Sequence, residues 1–298
     1  MHLLKLTRPI NLIVIALTMI GIRFLFLKEL NVVPYFQSAF EQIDFFLLVF
    51  STVLIAAGGN IINDYFDVKA DKINKPNKVI IGKFVKPRLA IVLHWTLNFL
   101  AFSIALYLSW KQHSFWYLFI HLFSINALWI YSTQLKKRFL IGNLVIAALT
   151  GLVPILSALY FINSAHIQVA QVDLATTTHL VIFLAVFAAI LNLIREIIKD
   201  MEDVKGDLLL RATTIPIKIG LSKSRRIVSV LLLATLTFSV FLVAEYFQHL
   251  SLLHLYVTLS MAICLLLAGY FINTNHLKTA DRLLKITMVI GCTLPFYL

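Results

Sequence analysis

Nine long apolar runs, separated by polar connections, take up most of the chain. One crossing of a hydrocarbon layer needs about 20 mostly apolar residues. The runs at 9–27, 43–62, 89–109, 114–132, 139–162, 177–197, 227–247, 250–272 and 283–298 approach that length. The expected class is an all-α polytopic membrane protein of about nine transmembrane helices. The last run is short, so the number nine carries an error of one. Composition points the same way: 60% of the 298 residues are hydrophobic and 13% charged, against about 25% charged in a soluble domain.

The first run is too long for the apolar region of a secretory leader. No small-x-small cleavage site follows it before Arg23, Lys28 and Glu29, so it reads as a retained helix. Cys264 and Cys292 both fall inside apolar runs and read as inert packing residues.

The formal net charge of +12 is that of a nucleic-acid binder, but its distribution argues for topology instead. With the N-terminus inside and sides alternating, 23 of the 26 Lys and Arg fall on inside segments; only Arg23, Lys28 and Lys111 fall outside. That asymmetry is the positive-inside pattern. It predicts a cell-membrane protein with a cytoplasmic N-terminus and cytoplasmic connections after runs 2, 4, 6 and 8. Anionic lipid headgroups are the expected partner of that charge, with no nucleic acid. No obligatory protein partner is evident.

The acids are less evenly spread. Eight of the 14 sit in two windows, Asp64, Asp67 and Asp71, then Glu196, Asp200, Glu202, Asp203 and Asp207. Each window continues the cytoplasmic end of a run, with no helix breaker until Asn74-Lys75-Pro76 and Gly206. Asp64, Asp67 and Asp71 are spaced i, i+3, i+7 and share one helix face, with Asn60 and Asn63 a turn nearer the membrane. Asp200, Asp203 and Asp207 repeat the spacing, with Glu196 one turn earlier. Like charges at this spacing repel each other and the negative end of the helix dipole, so a positive group must offset them. Oxygen-only ligands suit Mg²⁺, which keeps waters and is often shared with phosphates. Two such faces opposed across a cavity would hold Mg²⁺ ions and a diphosphate. The bland alternative is a pair of solvated helix ends matched with Lys69, Lys72, Lys199 and Lys205.

The windows also divide the chain. As one domain over 1–298, it has a first half at 1–138 and a second at 139–282, each of four helices with an acidic window after its second. A last helix at 283–298 follows.

At this point the residues resemble a known family. "NIINDYFDVKADKINKP" (60–76) looks like the first signature of the UbiA-type intramembrane prenyltransferases. "REIIKDMEDVKGDLLLRATTIPIKIG" (195–220) looks like the second, with its trailing T-x-P-x-x-x-G. "KLTRP" (5–9) and "YSTQLKKRFLIGN" (131–143) support the match. The resemblance implies nine helices around a central cavity open to lipid. It also implies Mg²⁺ bridging both motifs to the diphosphate of a polyprenyl donor, and attack on the resulting allylic cation by a lipophilic acceptor. Metals and basic side chains stabilise the leaving diphosphate, while the apolar cavity keeps water away. Carried over, Asp64, Asp67, Asp71, Asp200, Asp203 and Asp207 are the catalytic residues. With Asn63 they are the metal ligands, direct or through water. Asn60, Asn63, Arg8, Tyr131, Lys136, Arg195 and Lys199 are the substrate-binding candidates. Lys137 and Lys75 stand where the family has Arg, which keeps charge but loses the bidentate fork.

The second motif is most similar to the digeranylgeranylglyceryl phosphate synthase branch, which implies geranylgeranyl transfer to a prenylated glycerol phosphate. Quinone-ring acceptors (4-hydroxybenzoate, dihydroxynaphthoate, homogentisate) stay open. A cation-coupled transporter is the rival from another class, but its acids would sit near the midplane. The D-G-x-x-A-R pattern of the CDP-alcohol phosphotransferases is missing, and intact acids argue against a non-catalytic scaffold. His94, His121, His179 and His254 occur singly and read as packing or interfacial residues. Gly58-Gly59 reads as a bend or close contact, and Pro154 as a kink in helix 5.

Overall fold

The computed structural model describes residues 2–29, 39–163, 174–246 and 252–296. Eleven α-helices account for most of them: α1 (His2–Leu6), α2 (Pro9–Glu29), α3 (Ala39–Asn74), α4 (Pro87–Lys111), α5 (Trp116–Thr133), α6 (Ile141–Ile162), α7 (Ala175–Leu209), α8 (Ile215–Ile219), α9 (Leu221–Tyr246), α10 (Leu252–Asn273) and α11 (Leu277–Gly291). Among the described residues the only β pairing is an isolated bridge between Ile81 and Val85. The all-α membrane class is what the apolar runs predicted.

Seven of these helices, α2, α3, α4, α6, α7, α9 and α10, are long and apolar enough to cross a membrane. The expected runs at 114–132 and 283–298 are helical but fall short, each for its own reason. α5 has 18 residues, and His121, Ser124 and Asn126 interrupt its apolar character. α11 has 15 residues, about 22 Å of helix against a layer of about 30 Å. It starts six residues earlier than expected because Leu277, Ala280, Leu284 and Thr287 form one buried stripe, with Lys278, Asp281, Arg282 and Lys285 on other faces. Residues 297 and 298, the end of the ninth expected run, lie outside the described residues.

The chain divides into two compact units that partition it differently from the halves 1–138 and 139–282. The first unit holds 1–68, 78–133 and 152–182. Its helices meet through small residues, as expected where lipid removes the hydrophobic drive between helices. Gly58 lies against the Asn98 side chain and Gly59 against Leu128, so the glycine pair serves close packing. Phe26, Phe45, Tyr160 and Phe161 form an aromatic cluster. The isolated histidines here are satisfied packing groups: His121 meets Ser51 at 2.8 Å and His94 the carbonyl of Gly58 at 2.9 Å. Asp44, almost fully buried, pairs with Lys111 at 2.6 Å. His179 is exposed, and the side chain of His254 lies outside the described residues.

The second unit holds 69–77, 134–151 and 183–298. Its core runs along Leu191, Ile194, Ile197, Ile198 and Met201 of α7, packed with Val228, Met261, Leu265, Ala268 and Leu284. Gly151 lies against the Ala185 carbonyl and the Ala189 methyl, and Gly291 against Met261. Pro154, which belongs to the first unit, sits inside α6. Cys264 is half-buried and Cys292 buried, as a packing role requires.

Two helices are longer than a bilayer is thick. α3, with 36 residues, measures about 54 Å and α7, with 35, about 52 Å. Both acidic windows ride on the last turns of these helices. One expectation is corrected here: Gly206 does not break α7, which continues to Leu209. A Cβ at Gly206 would lie 2.8 Å from the Ala70 carbonyl and closer still to the Asn74 amide. The glycine is a contact point between α7 and the end of α3, and its missing side chain makes room for that contact.

Candidate functional site

The membrane-side part of the first motif belongs to the first unit. Helical spacing puts Asn60, Asn63, Asp64 and Asp67 along one side of α3. Asn63 Nδ2 donates to Asp67 Oδ2 at 2.9 Å, and Asp67 is only 8% exposed. That leaves Asn63 Oδ1 buried without a hydrogen-bond partner. Arg8 Nη2 pairs with Asp64 Oδ1, and Asn60 Nδ2 donates to the Thr7 carbonyl at 2.9 Å. Arg8, expected as a substrate contact, thus stands beside the motif with an acid already against it. Tyr131 is buried in the last turn of α5.

The rest of the acids belong to the second unit. Here the end of α3, carrying Asp71 and Asn74, docks on α7 together with Lys75, the residue that follows it. Lys75 Nζ pairs with Asp203 Oδ2 at 2.6 Å, Asn74 Nδ2 donates to the Asp203 carbonyl at 3.0 Å, and the Gly206 N–H donates to Asn74 Oδ1 at 2.9 Å. Asp203 Oδ1 is buried with no hydrogen-bond partner. Asn143, in the first turn of α6, donates to Asp200 Oδ2 at 2.8 Å. Asp207 is buried one turn beyond Asp203, and Lys199 pairs with Glu196.

Lys136 and Lys137 form a one-turn 3₁₀ helix, Leu135–Lys137. Its position is fixed from two sides. The Thr213 N–H and hydroxyl both donate to the Lys137 carbonyl, at 2.7 and 3.2 Å. Gly142 lies so near that a Cβ there would be 2.8 Å from the Leu135 carbonyl. Lys136 lies within electrostatic reach of Glu196 and Asp200. The trailing T-x-P-x-x-x-G closes the same segment: Thr214 begins α8, Pro216 occupies its first turn, and Gly220 ends it at φ +84°. Only glycine adopts that conformation without strain.

Arg195 was expected to touch substrate, but the structure gives it other work. It is buried, and its guanidinium donates to Asp281 Oδ1 at 3.0 Å, to Asn192 at 3.3 Å and to the Met288 sulfur at 3.7 Å. It braces α7 against α11 at the level of Glu196. Burial pushes the Asp281 carboxyl up, but Arg195, Lys285 and Lys199 more than offset this and hold it below the ordinary value. The expected lysine partners are corrected too. Lys69, Lys72 and Lys205 are exposed, whereas Lys199 does pair with Glu196, and Arg8 and Lys75 add cations on Asp64 and Asp203.

Sequence reasoning missed Asn143 and Asp281. Asn143 has one sequence signal, its place at the end of the run quoted from 131 to 143. Asp281 is an acid in an otherwise basic connection, which is a weak signal.

Mg²⁺ fits this donor set. All of the motif donors are oxygens, and two buried ones, Asn63 Oδ1 and Asp203 Oδ1, have no hydrogen-bond partner. Among the described residues, no three His, Cys, Asp or Glu side chains come together closely enough to ligate an ion. Oxygen donors of this kind suit a hard cation that keeps waters and shares phosphate oxygens.

Long helices carrying two Asp-rich ends, each matched with basic and amide side chains, define the class as an all-α membrane protein with paired acidic motifs. The chain matches the UbiA prenyltransferase family over residues 32–290 and belongs to that family. It is similar to the digeranylgeranylglyceryl phosphate synthase of Thermococcus sibiricus, at 35% identity over 194 residues, 64% of this chain and 62% of the relative. Relatives of the same name from Thermococcus gammatolerans and Pyrococcus horikoshii are each 37% identical over comparable stretches. The chain spans about three-fifths of the length of the curated relatives it matches. Among solved structures, an apo UbiA homolog from Aeropyrum pernix K1 shares the fold with a TM-score of 0.70 at 15% identity, over 94% of both chains. A UbiA homolog from Archaeoglobus fulgidus, bound to DMAPP and Mg²⁺, gives 0.55 at 14% identity over 100% of both.

Proposed function

We propose that this protein is a Mg²⁺-dependent prenyltransferase that moves a geranylgeranyl group from its diphosphate to geranylgeranylglyceryl phosphate. The observation that carries this reading is the pair of acid motifs, each with a buried oxygen left without a partner and a basic residue beside it. The names of the similar relatives support the choice of acceptor. The DMAPP- and Mg²⁺-bound state of one structural neighbour supports the choice of donor class and metal.

In this reading Asp64, Asp67, Asp71, Asp200, Asp203 and Asp207, with Asn63, hold Mg²⁺ directly or through water. When bound, Mg²⁺ supplies positive charge that stabilises the diphosphate as it leaves. Asn60, Lys136 and Arg8 orient the donor head, Lys199 adds positive charge beside Asp200, and the Tyr131 ring steadies the allylic cation. The donor C–O bond breaks with its electron pair leaving on the diphosphate. The acceptor hydroxyl oxygen supplies the pair for the new ether bond and loses its proton. The apolar helices exclude the water that would otherwise take the cation. Both motifs and the N-terminus face the cytoplasm, where water-soluble Mg²⁺ and diphosphate meet the membrane.

The test uses protein purified in detergent with Mg²⁺ and radiolabelled geranylgeranyl diphosphate. It offers geranylgeranylglyceryl phosphate, 4-hydroxybenzoate, 1,4-dihydroxy-2-naphthoate and homogentisate separately. Labelled product with the glycerol phosphate alone is expected. Product with an aromatic acid moves the protein to quinone-ring prenylation with the same mechanism. No product, with no Mg²⁺-dependent donor binding, overturns prenyl transfer and favours the transporter.

A further inference from the structure

The segment before the first long helix has more contacts than a leader to a membrane helix needs. Leu6 is 1% exposed, in a cluster with Ile61, Ile81, Val85 and Ala90. The His2 ring stacks on Phe84 with centroids 4.1 Å apart and planes 4° from parallel. These two contacts hold the segment to α3 and to the connection between α3 and α4.

What lies between Leu6 and α2 is what matters. Asn60 donates to the Thr7 carbonyl, and Arg8 pairs with Asp64. Two side chains of the first motif are therefore oriented by two consecutive residues of this segment. Arg8 has φ +55°, a conformation that a residue with a side chain keeps only where its surroundings enforce it. Leu6 enforces it on one side. On the other, the Arg8 carbonyl accepts from the Asn11 N–H at 2.9 Å, which starts α2. The Arg8–Asp64 pair is partly open to solvent, with side chains 38% and 23% exposed. Such a pair is too weak to hold the backbone by itself. The anchor is the buried leucine, and the polar contacts are its consequence.

We infer that residues 2–8 form a strap that positions the first motif for the donor diphosphate, with Leu6 as its positioning residue. The inference rests on the prenyltransferase reading above. Leu6 touches no substrate. It fixes where the Thr7 carbonyl and the Arg8 guanidinium stand, and through them the Asn60 amide and the Asp64 carboxylate. Loosening the anchor disturbs binding of the Mg²⁺–diphosphate head and leaves the acceptor side untouched.

The test compares wild type, Leu6→Ala, the volume-conserving Leu6→Met, and Phe84→Ala. Phe84 is half exposed in a connection, so its loss removes the His2 stack without opening a core. Steady-state constants are measured with geranylgeranyl diphosphate, the acceptor that wild type uses, and a Mg²⁺ titration. For Leu6→Ala, KM for the donor and the half-saturating Mg²⁺ rise about tenfold, while kcat and the acceptor KM stay within about threefold. Leu6→Met restores wild-type values to within about twofold. Phe84→Ala moves the same two constants in the same direction by about threefold, and decides the matter if Leu6→Ala does not fold. A loss confined to kcat, or shared equally by donor and acceptor, overturns the strap, because a smaller folded fraction acts in that way. Unchanged donor and Mg²⁺ constants in a folded Leu6→Ala overturn it as well. A wild type that transfers no prenyl group overturns the functional reading itself, and with it the role given to the strap.

Discussion

The two motifs read alike, D-x-x-D-V-K-x-D at Asp64–Asp71 and again at Asp200–Asp207, yet they are braced from different places. In the first unit, Asp64 meets the cation Arg8 and Asp67 the amide Asn63. In the second, Asp203 meets the cation Lys75 and Asp200 the amide Asn143. Each motif pairs an acid with a cation and another with an amide, and between these two the order along the helix is reversed. The lysine inside the repeat, Lys69 or Lys205, is exposed in both copies. An aspartate on a cation and one on an amide answer the same problem, because each lowers the cost of holding several carboxylates on one helix face. The repeat encodes the acids, and their counter-groups come from elsewhere in the chain.

Several variants test that comparison, in descending order of effect. Asp67→Ala and Asp203→Ala should each cut turnover by at least about 10³-fold while the helical circular dichroism stays unchanged. Near-normal turnover from either one would break the idea that the two copies share a task. Arg195→Met leaves the mostly buried Asp281 with Lys285 alone and should destabilise the second unit by about 1–3 kcal/mol, seen as a lower thermal midpoint. Adding Asp281→Leu should recover most of that loss. Gly206→Ala should lower both thermal midpoint and turnover, because the added methyl meets Ala70 and Asn74. The matching change on the other copy, Ala70→Gly, should cost about 1 kcal/mol through helix propensity. Asn143→Ala leaves Asp200 without its donor and should cost about tenfold in turnover, in line with a lost charge-assisted hydrogen bond of about 1.5–3 kcal/mol. Lys69→Ala and Lys205→Ala should stay within about twofold, since exposed charges contribute little. A large effect from either lysine would mean that the local repeat, and not the distant partners, governs the acids.

Those partners were the part of the site that sequence left hidden. The helices were legible because apolar length is a local property. The extension of α3 and α7 through both motifs was legible because nothing in 60–74 or 195–205 breaks a helix. The acids were legible through i, i+3, i+7 spacing. Lys75 on Asp203 and Asn143 on Asp200 join residues 128 and 57 positions apart, and no periodicity connects such pairs. The brace on Arg195 was hidden for the same reason. Its place beside the second motif suggested substrate, while its partner Asp281 lies 86 positions on. Gly206 was read through local propensity as a stop, and its role came instead from a helix distant in sequence.

That glycine also limits how the chain can change over generations. Every other amino acid brings a Cβ, so each missense change at codon 206 sets an atom against the Ala70 carbonyl and the Asn74 amide. A change at 74 relieves only one of these obstacles, because the other is main chain. A substitution at 206 therefore requires the end of α3 to shift as well. Ala70 faces no matching barrier to becoming glycine, so the two copies of the repeat can drift toward identity at this position but not exchange their residues.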